Sequence, residues 1–291
     1  AEEARICELT EQQFALLDVL ARQRRVKICG CAGSGKTFLA VEKARRLDAE
    51  GFRVLLTCFN RNLADWIANS LGPDSGIVVR NFHRLCQEMA VQAGLLPEPV
   101  EAEALPPLLP RAAAQLPEQR FDAIIADEGQ DFDPAWWQGL ETLLRHPHEG
   151  IFYVFYDDNQ RIYQPASAYP LPGEPFILPH NCRNTQRVHQ AVLRYYQGEG
   201  IPICLGPEGR SVEAIPVPSR QDEPRILEHL LRRLTQGEGI PLSSIILLTP
   251  CSRQRSRWQD GSHVGEVELV WQLEPPDALS VSTIHAFKGL E

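Results

Sequence analysis

The segment Gly30-Cys31-Ala32-Gly33-Ser34-Gly35-Lys36-Thr37 restricts the fold more than any other part of the sequence. Gly30 and Gly35 have the spacing of a phosphate-binding loop, and the segment ends in Lys-Thr as that pattern requires. An apolar run, Val26–Gly30, leads into it, and a helix-period stretch, Lys36–Asp48, leads out. A strand feeding a glycine-rich turn into a helix N-terminus offers backbone N–H groups and a favourable dipole to an anion. Gly30, Ala32, Gly33, Ser34 and Gly35 are therefore the expected cradle for a triphosphate. Lys36 is expected to reach its β- and γ-phosphates and Thr37 to ligate Mg²⁺. The competing reading is a plain strand–helix turn with an exposed lysine, and the flanking strand and helix weigh against it.

The same alternation runs through the chain. Val54–Phe59, Ile77–Phe82, Phe121–Asp127 and Ile151–Phe155 read as buried strands, and Asn60–Leu71, His83–Ala93 and Pro134–Arg145 as helices between them. This pattern predicts an α/β fold with a parallel sheet covered on both faces. Pro97–Pro117, with six prolines, reads as an exposed insertion. After a second proline-rich stretch, Pro165–Pro179, the alternation resumes. Pro175–Leu178, Ser211–Val217, Ile245–Leu248, Val267–Leu273 and Leu279–Ile284 are the expected strands, with helices over Thr185–Gln197 and Asp222–Leu234. Two domains are expected, residues 1–172 and 173–291, in line with 291 residues in total.

Composition removes several classes. Apolar residues make up 43% and charged residues 23%, which excludes a disordered or coiled-coil chain. No apolar run reaches the roughly 18–20 residues of a membrane span, and no signal-peptide pattern opens the chain. The eight scattered cysteines read as reduced thiols of a cytoplasmic protein rather than a disulfide framework. A net charge of −9 weighs slightly against a nucleic-acid partner, although a local basic track on an acidic body remains compatible with one.

A second constellation is Ile124-Ile125-Ala126-Asp127-Glu128-Gly129-Gln130-Asp131. An apolar strand ending in Asp-Glu delivers carboxylates to the carboxyl edge of a sheet, where open α/β folds bind ligands. Asp127 is the expected Mg²⁺ ligand, acting through water, and Glu128 the expected general base for an attacking water. Asp131 and Asp133 read equally well as helix caps ahead of Pro134.

At this point the segments resemble a known family. Asp127-Glu128-Gly129-Gln130-Asp131 resembles motif II of the UvrD/Rep/PcrA branch of superfamily 1 DNA helicases. Leu9-Thr10-Glu11-Gln12-Gln13 is similar to the adenine-reading Q motif, Leu55–Asn60 to motif Ia, and Asn81-Phe82-His83 to motif Ib. Asp157-Asp158-Asn159-Gln160-Arg161-Ile162-Tyr163 resembles motif III, Asn181-Cys182-Arg183 motif IV, and Ser282–Glu291 motif V. The resemblance follows motif order along nearly the whole chain.

What it implies is an ATP- and Mg²⁺-dependent motor built from two RecA-like P-loop domains, the second truncated at motif V. The motor would move 3′ to 5′ on single-stranded DNA, with RNA as the alternative strand. Arg183 would be an arginine finger and Gln160 a γ-phosphate sensor. Gln13, Gln130, Gly289 and Glu291 would complete the nucleotide surroundings. Phe59, Asn60, Phe82, His83, Tyr163, Thr283 and His285 would contact the strand. For Phe59 and Phe82, which end strands, core packing is the competing fate. Arg253, Arg255, Arg257 and Trp258 form a separate basic cluster, read as a solvated face.

The sequence departs from that family in places. Tyr156 stands where relatives carry glycine, and the segment runs into Gln164-Pro165 without the aromatic-Arg-Gly continuation. The interval from His83 to Asp127 is short, and the large second-domain insertion is missing. The chain opens on Ala1 and stops at Glu291 inside a motif, so it reads as a fragment; without motif VI, ATP binding with slow hydrolysis is expected. A protein loading partner, or a nuclease-related domain outside residues 1–291, is a further expectation. The second reading is a partner-regulated ATPase switch in a DNA repair or defence complex. The third, a degenerate nucleotide-binding module, sits poorly with intact Lys36, Thr37, Asp127, Glu128, Gln160 and Arg183.

Overall fold

The computed structural model describes residues 14–96, 101–157, 159, 169, 171–197, 201–273, 275 and 277–290. They fall into two compact units, one up to Val212 and one from Glu213. The fold is α/β, with a six-stranded parallel sheet in the first unit and a smaller sheet in the second.

In the first unit, α1 (Ala15–Val19) precedes β1 (Arg25–Gly30), and α2 (Lys36–Ala49) follows it. Next come β2 (Val54–Cys58), α3 (Arg61–Leu71), β3 (Val78–Asn81) and α4 (Phe82–Gln92). Then follow α5 (Leu109–Gln115), β4 (Ala123–Ala126), α6 (Pro134–Glu141), β5 (Ile151–Tyr156) and β6 (Phe176–Leu178). The sheet order is β3-β2-β4-β5-β1-β6, and every pairing is parallel. Every residue of β2, β4 and β5 is buried, which is why these strands read as unbroken apolar runs. Parallel order also brings the carboxyl ends of β1, β2, β4 and β5 to one edge, where the candidate residues collect.

Two expectations are corrected here. The proline-rich stretch is not an exposed insertion where it is described: Leu105, Leu109, Ala112 and Ala113 lie in the core beside Phe82, Phe132 and Trp137. Prolines at the first turns of its short helices are compatible with helix, and the intervening Leu and Ala supply an apolar face. Phe176–Leu178, read as opening the second half, instead adds to the first sheet, with Cys29 opposite Ile177.

The rest of this unit holds β7 (His180–Asn181), α7 (Gln186–Leu193) and β8 (Ile203–Cys204), with β7 and β8 paired in parallel. The second unit contains α8 (Glu223–Arg232), β9 (Ile246–Thr249), β10 (His263–Val264), β11 (Val267–Val270), β12 (Leu279–Thr283) and α9 (Ile284–Phe287). Its sheet order is β10-β11-β12-β9, with Leu231, Val264, Leu269, Leu279 and Val281 as the core. Ser211–Val217 forms no strand; its Val212, Ile215 and Val217 are exposed, so no second layer buries the apolar run. Among the described residues there is no disulfide, and no helix is long and apolar enough to cross a membrane.

Candidate nucleotide-binding site

The loop between β1 and α2 is shaped by its glycines. Gly33 and Gly35 have φ of +76° and +79°, a region that side-chain-bearing residues enter at a cost of about 1–2 kcal/mol. A Cβ on Gly30 would meet Ser34 Oγ at 2.3 Å. Within this loop Lys36 is only 5% exposed. Its Nζ donates to the carbonyls of Gly30 (2.9 Å) and Cys31 (3.0 Å) and lies 3.6 Å from Asp157 Oδ2. Burial pulls the ammonium pKa down, but the carboxylates of Asp157, Glu128 and Asp127 more than offset this, and the net direction is up. Lys36 is thus a buried, charged ammonium held by carbonyls and carboxylates.

The strand β4 ends at Asp127 and Glu128, beside this lysine. Asp127 is fully buried, and its Oδ2 accepts a 2.7 Å hydrogen bond from Thr37 Oγ1. Its Oδ1 has no hydrogen-bond partner. Burial, reinforced by neighbouring Glu128, raises the carboxyl pKa to about 7, against the lowering effects of Thr37 and Lys36. A buried carboxylate oxygen without a donor, next to a hydroxyl, fits a divalent cation that completes its shell with phosphate oxygens and water. No cluster of three or more His, Cys, Asp or Glu among the described residues could hold a metal alone. Thr37 and Asp127 therefore fit Mg²⁺ as one that arrives with a nucleotide.

Glu128 has φ +54°, the one positive-φ non-glycine among the described residues. Such strain clusters where a side chain must be aimed. Its Oε2 accepts from Gln130 Nε2 at 2.5 Å, and Gln130 Oε1 accepts from the backbone N–H of Asp157 at 2.9 Å. Gln130 thereby ties the end of β4 to the end of β5. Asp157, the first residue of the segment that resembles motif III, has no site role in the sequence reading, although it follows its apolar strand just as Asp127 follows β4. Of the two capping alternatives, Asp133 caps α6 by accepting from Ala135 N–H at 2.8 Å, and Asp131 is buried.

Arg183 lies beside the loop. The backbone N–H groups of Cys182 and Arg183 donate to the Gly33 carbonyl at 2.9 and 3.1 Å, and the Arg183 guanidinium sits 5.9 Å over the Phe38 ring. Gln13, Gln160, Tyr163 and Glu291 lie outside the described residues.

At the same sheet edge, Phe59, His83 and Trp136 make a half-buried aromatic group. Trp136 stacks on Phe59 at 6.0 Å and meets His83 edge-on at 5.0 Å. Phe82 is wholly buried, its ring stacked on Trp136 at 4.7 Å and tilted against Phe132 at 5.5 Å, so as folded here it is a core residue. Asn60 caps α3, accepting from Asn62 N–H at 2.9 Å. In the second unit, Thr283 caps α9 by accepting from Ala286 N–H at 2.9 Å, His285 is exposed, and Gly289 has φ +84°. Trp136 is a member of the aromatic group that the motifs did not flag; an aromatic three residues past the Asp133 cap was the only sign.

The AAA domain family matches residues 12–166, more than half of the chain. Among solved structures, Pif1 helicase from Candida albicans is similar at 17% identity and a TM-score of 0.37, over 58% of this chain and 39% of that one. AMPPCP-bound DnaA from Aquifex aeolicus is similar at 14% identity and 0.31, over 80% and 61%. Bacteroides Pif1 bound to ssDNA is similar at 14% identity and 0.29, over 83% and 53%. The chain spans between 39% and 61% of the lengths of these proteins. No curated protein matches the chain.

Proposed function

The chain belongs to the AAA domain family, and on that premise we propose that it hydrolyses ATP to move along single-stranded DNA. The type proposed is that of UvrD/Rep/PcrA, with 3′ to 5′ polarity. The unit up to Val212, which includes β6, would form the ATP-binding half and the unit from Glu213 the second RecA-like half. The observation that carries the reading is the convergence of Lys36, Thr37, Asp127 and Glu128, with Thr37 bonded to Asp127 at 2.7 Å and Lys36 inside a ring of carboxylates.

In this reading Lys36 exchanges the Gly30 and Cys31 carbonyls for phosphate oxygens, and its charge is already secured by Asp157, Glu128 and Asp127. Thr37 and Asp127 would hold Mg²⁺, which, when bound, draws charge from the β- and γ-phosphate oxygens. Glu128 accepts the proton of the attacking water as its oxygen bonds the γ-phosphorus and the bond to the β,γ-bridging oxygen breaks. Gln130 holds Glu128 at 2.5 Å and so aims that base. Arg183 balances charge on the transferring group, and Gln160 reports its presence. Phe59 and His83, joined by Trp136, offer aromatic faces to unpaired bases, each worth roughly 1–3 kcal/mol.

A second reading, a partner-regulated ATPase switch in a repair or defence complex, draws on Tyr156. It is 4% exposed and its ring lies 4.1 Å from Tyr169, so a position expected to be glycine is filled with packed aromatic volume. The deciding experiment is ATP hydrolysis with and without single-stranded DNA or RNA, using Lys36→Ala as control. Strand-stimulated turnover lost in the variant supports the motor. Lys36-dependent turnover indifferent to both strands supports the switch.

A further inference from the structure

The turn that carries Arg183 is anchored from behind by a buried pair. Asn181 and His189 are 1% and 6% exposed, and Asn181 Nδ2 lies 3.1 Å from His189 Nδ1. The other ring nitrogen, Nε2, lies 3.1 Å from the Pro202 carbonyl. A carbonyl only accepts, so Nε2 carries the hydrogen and Nδ1 is left to accept from the Asn181 amide. The opposite end of that amide is also engaged, because Asn181 Oδ1 accepts the Asn184 N–H at 3.0 Å. Asn181 therefore has one orientation that satisfies every partner, and His189 enforces it.

Asn181 presses directly on the phosphate loop. A Cβ on Gly33 would meet Asn181 Oδ1 at 2.4 Å and Asn184 Nδ2 at 2.9 Å, and the Gly33 carbonyl takes the next two backbone N–H groups, Cys182 and Arg183. The ring holds the amide, the amide holds the Asn184 N–H, and the Cys182 and Arg183 N–H groups between them hold the Gly33 carbonyl, so α7 and the loop grip the same short turn.

We propose that His189 is a positioning residue: by accepting from Asn181 it holds the 181–184 turn, and with it Arg183, in register with the phosphate loop. This rests on the reading of Arg183 as the arginine finger. Displacing such a group by about 1 Å is enough to cost on the order of a hundredfold in rate.

The test compares three replacements in the full protein. His189→Asn puts an amide oxygen near the place of Nδ1 and keeps an acceptor for Asn181. His189→Gln reaches toward Pro202 and offers no acceptor there, and His189→Ala offers none at all. The expected result is kcat for His189→Asn within about threefold of the parent, against a fall on the order of tenfold to a hundredfold for the other two, with KM for ATP nearly constant. Amide exchange at Cys182 and Arg183 should quicken in His189→Gln and His189→Ala and stay slow in His189→Asn. Equal behaviour of the Asn and Gln variants in both readouts would overturn the proposal. Full kcat in His189→Ala beside a crippled Arg183→Ala would overturn the role of His189 alone. Full kcat in Arg183→Ala would overturn the finger reading and this role with it.

Discussion

The backbone N–H of Arg183 donates to the carbonyl of Gly33 at 3.1 Å, so the residue proposed to stabilise the transferring phosphate is tied to the loop proposed to bind it. The contact depends on Gly33 having no side chain. At φ +76° an alanine is strained, and its Cβ would sit 2.4 Å from Asn181 Oδ1. Gly33→Ala is expected to lower stability by about 1–2 kcal/mol from backbone strain alone. It should also weaken binding of an unhydrolysable ATP analogue. Thermal unfolding with and without that analogue checks both.

Asp127 gives the fold a pH dependence of known sign. Burial raises its carboxyl to about 7, whereas an unfolded chain titrates aspartate near 4. Between about 4 and 7 the folded chain holds the extra proton, so this residue makes stability fall as pH rises, with no further loss above 7. Asp127→Asn should flatten that slope and be the more stable protein at pH 8, by an amount on the order of a few kcal/mol. Melting temperature against pH for both proteins, without nucleotide, decides it; an unchanged slope would count against the buried carboxyl as its source.

Glu128 sets strain against function. Its left-handed backbone costs about 1–2 kcal/mol that glycine would avoid. Glu128→Gln should leave nucleotide affinity nearly intact and lower kcat about 10²–10⁴-fold, as loss of a general base does. Glu128→Gly should lose the same activity without losing stability in denaturant titration. A Gln variant with parental kcat would remove the base assignment.

Gln130 bridges Glu128 and Asp157 through both ends of its amide, at 2.5 and 2.9 Å. Gln130→Glu turns the donor facing Glu128 into a like charge. Hydrolysis should fall, and whatever stimulation single strands provide should fall further, with analogue binding retained. Stimulation that survives intact would mean the two strand ends communicate by another route.

Phe82 and His83 are neighbours with different expected fates. Phe82→Ala empties a wholly buried position and should destabilise by about 3–5 kcal/mol. His83 is half-buried, and burial lowers its pKa, so it is neutral at pH 7 and offers a ring rather than a charge. His83→Ala should weaken single-strand binding by roughly 1–3 kcal/mol with far less effect on the melting temperature. Strand binding itself should weaken as salt rises.

What could be read from the order of residues was whatever depends on local chemistry. Gly30–Thr37 announces its loop because few backbones other than a glycine-rich turn can wrap an anion at a helix N-terminus. The strands β2, β4 and β5 were legible because burial on both faces demands uninterrupted apolar runs. The pairing of Asp127 with Glu128 at the end of an apolar run is enough to put both on the carboxyl edge of a parallel sheet.

Packing decided the rest, because it depends on residues distant in sequence. Nothing near Leu105 or Leu109 says that a proline-rich stretch will be drawn into the core beside Phe82. Nothing in Ser211–Val217 says that no layer will cover it. Asp157 became part of the site only when β4 and β5 were paired side by side, which set its backbone N–H against the amide of Gln130, a residue already expected there. His189, Asn181 and Gly33 lie on three separate segments, and the hydrogen bond between His189 and Asn181 and the close approach of Asn181 to Gly33 exist only once the chain has folded back on the loop. Short-range pattern determines which elements form and which chemistry they carry; long-range contact determines which of those groups share a dielectric, a proton and a geometry.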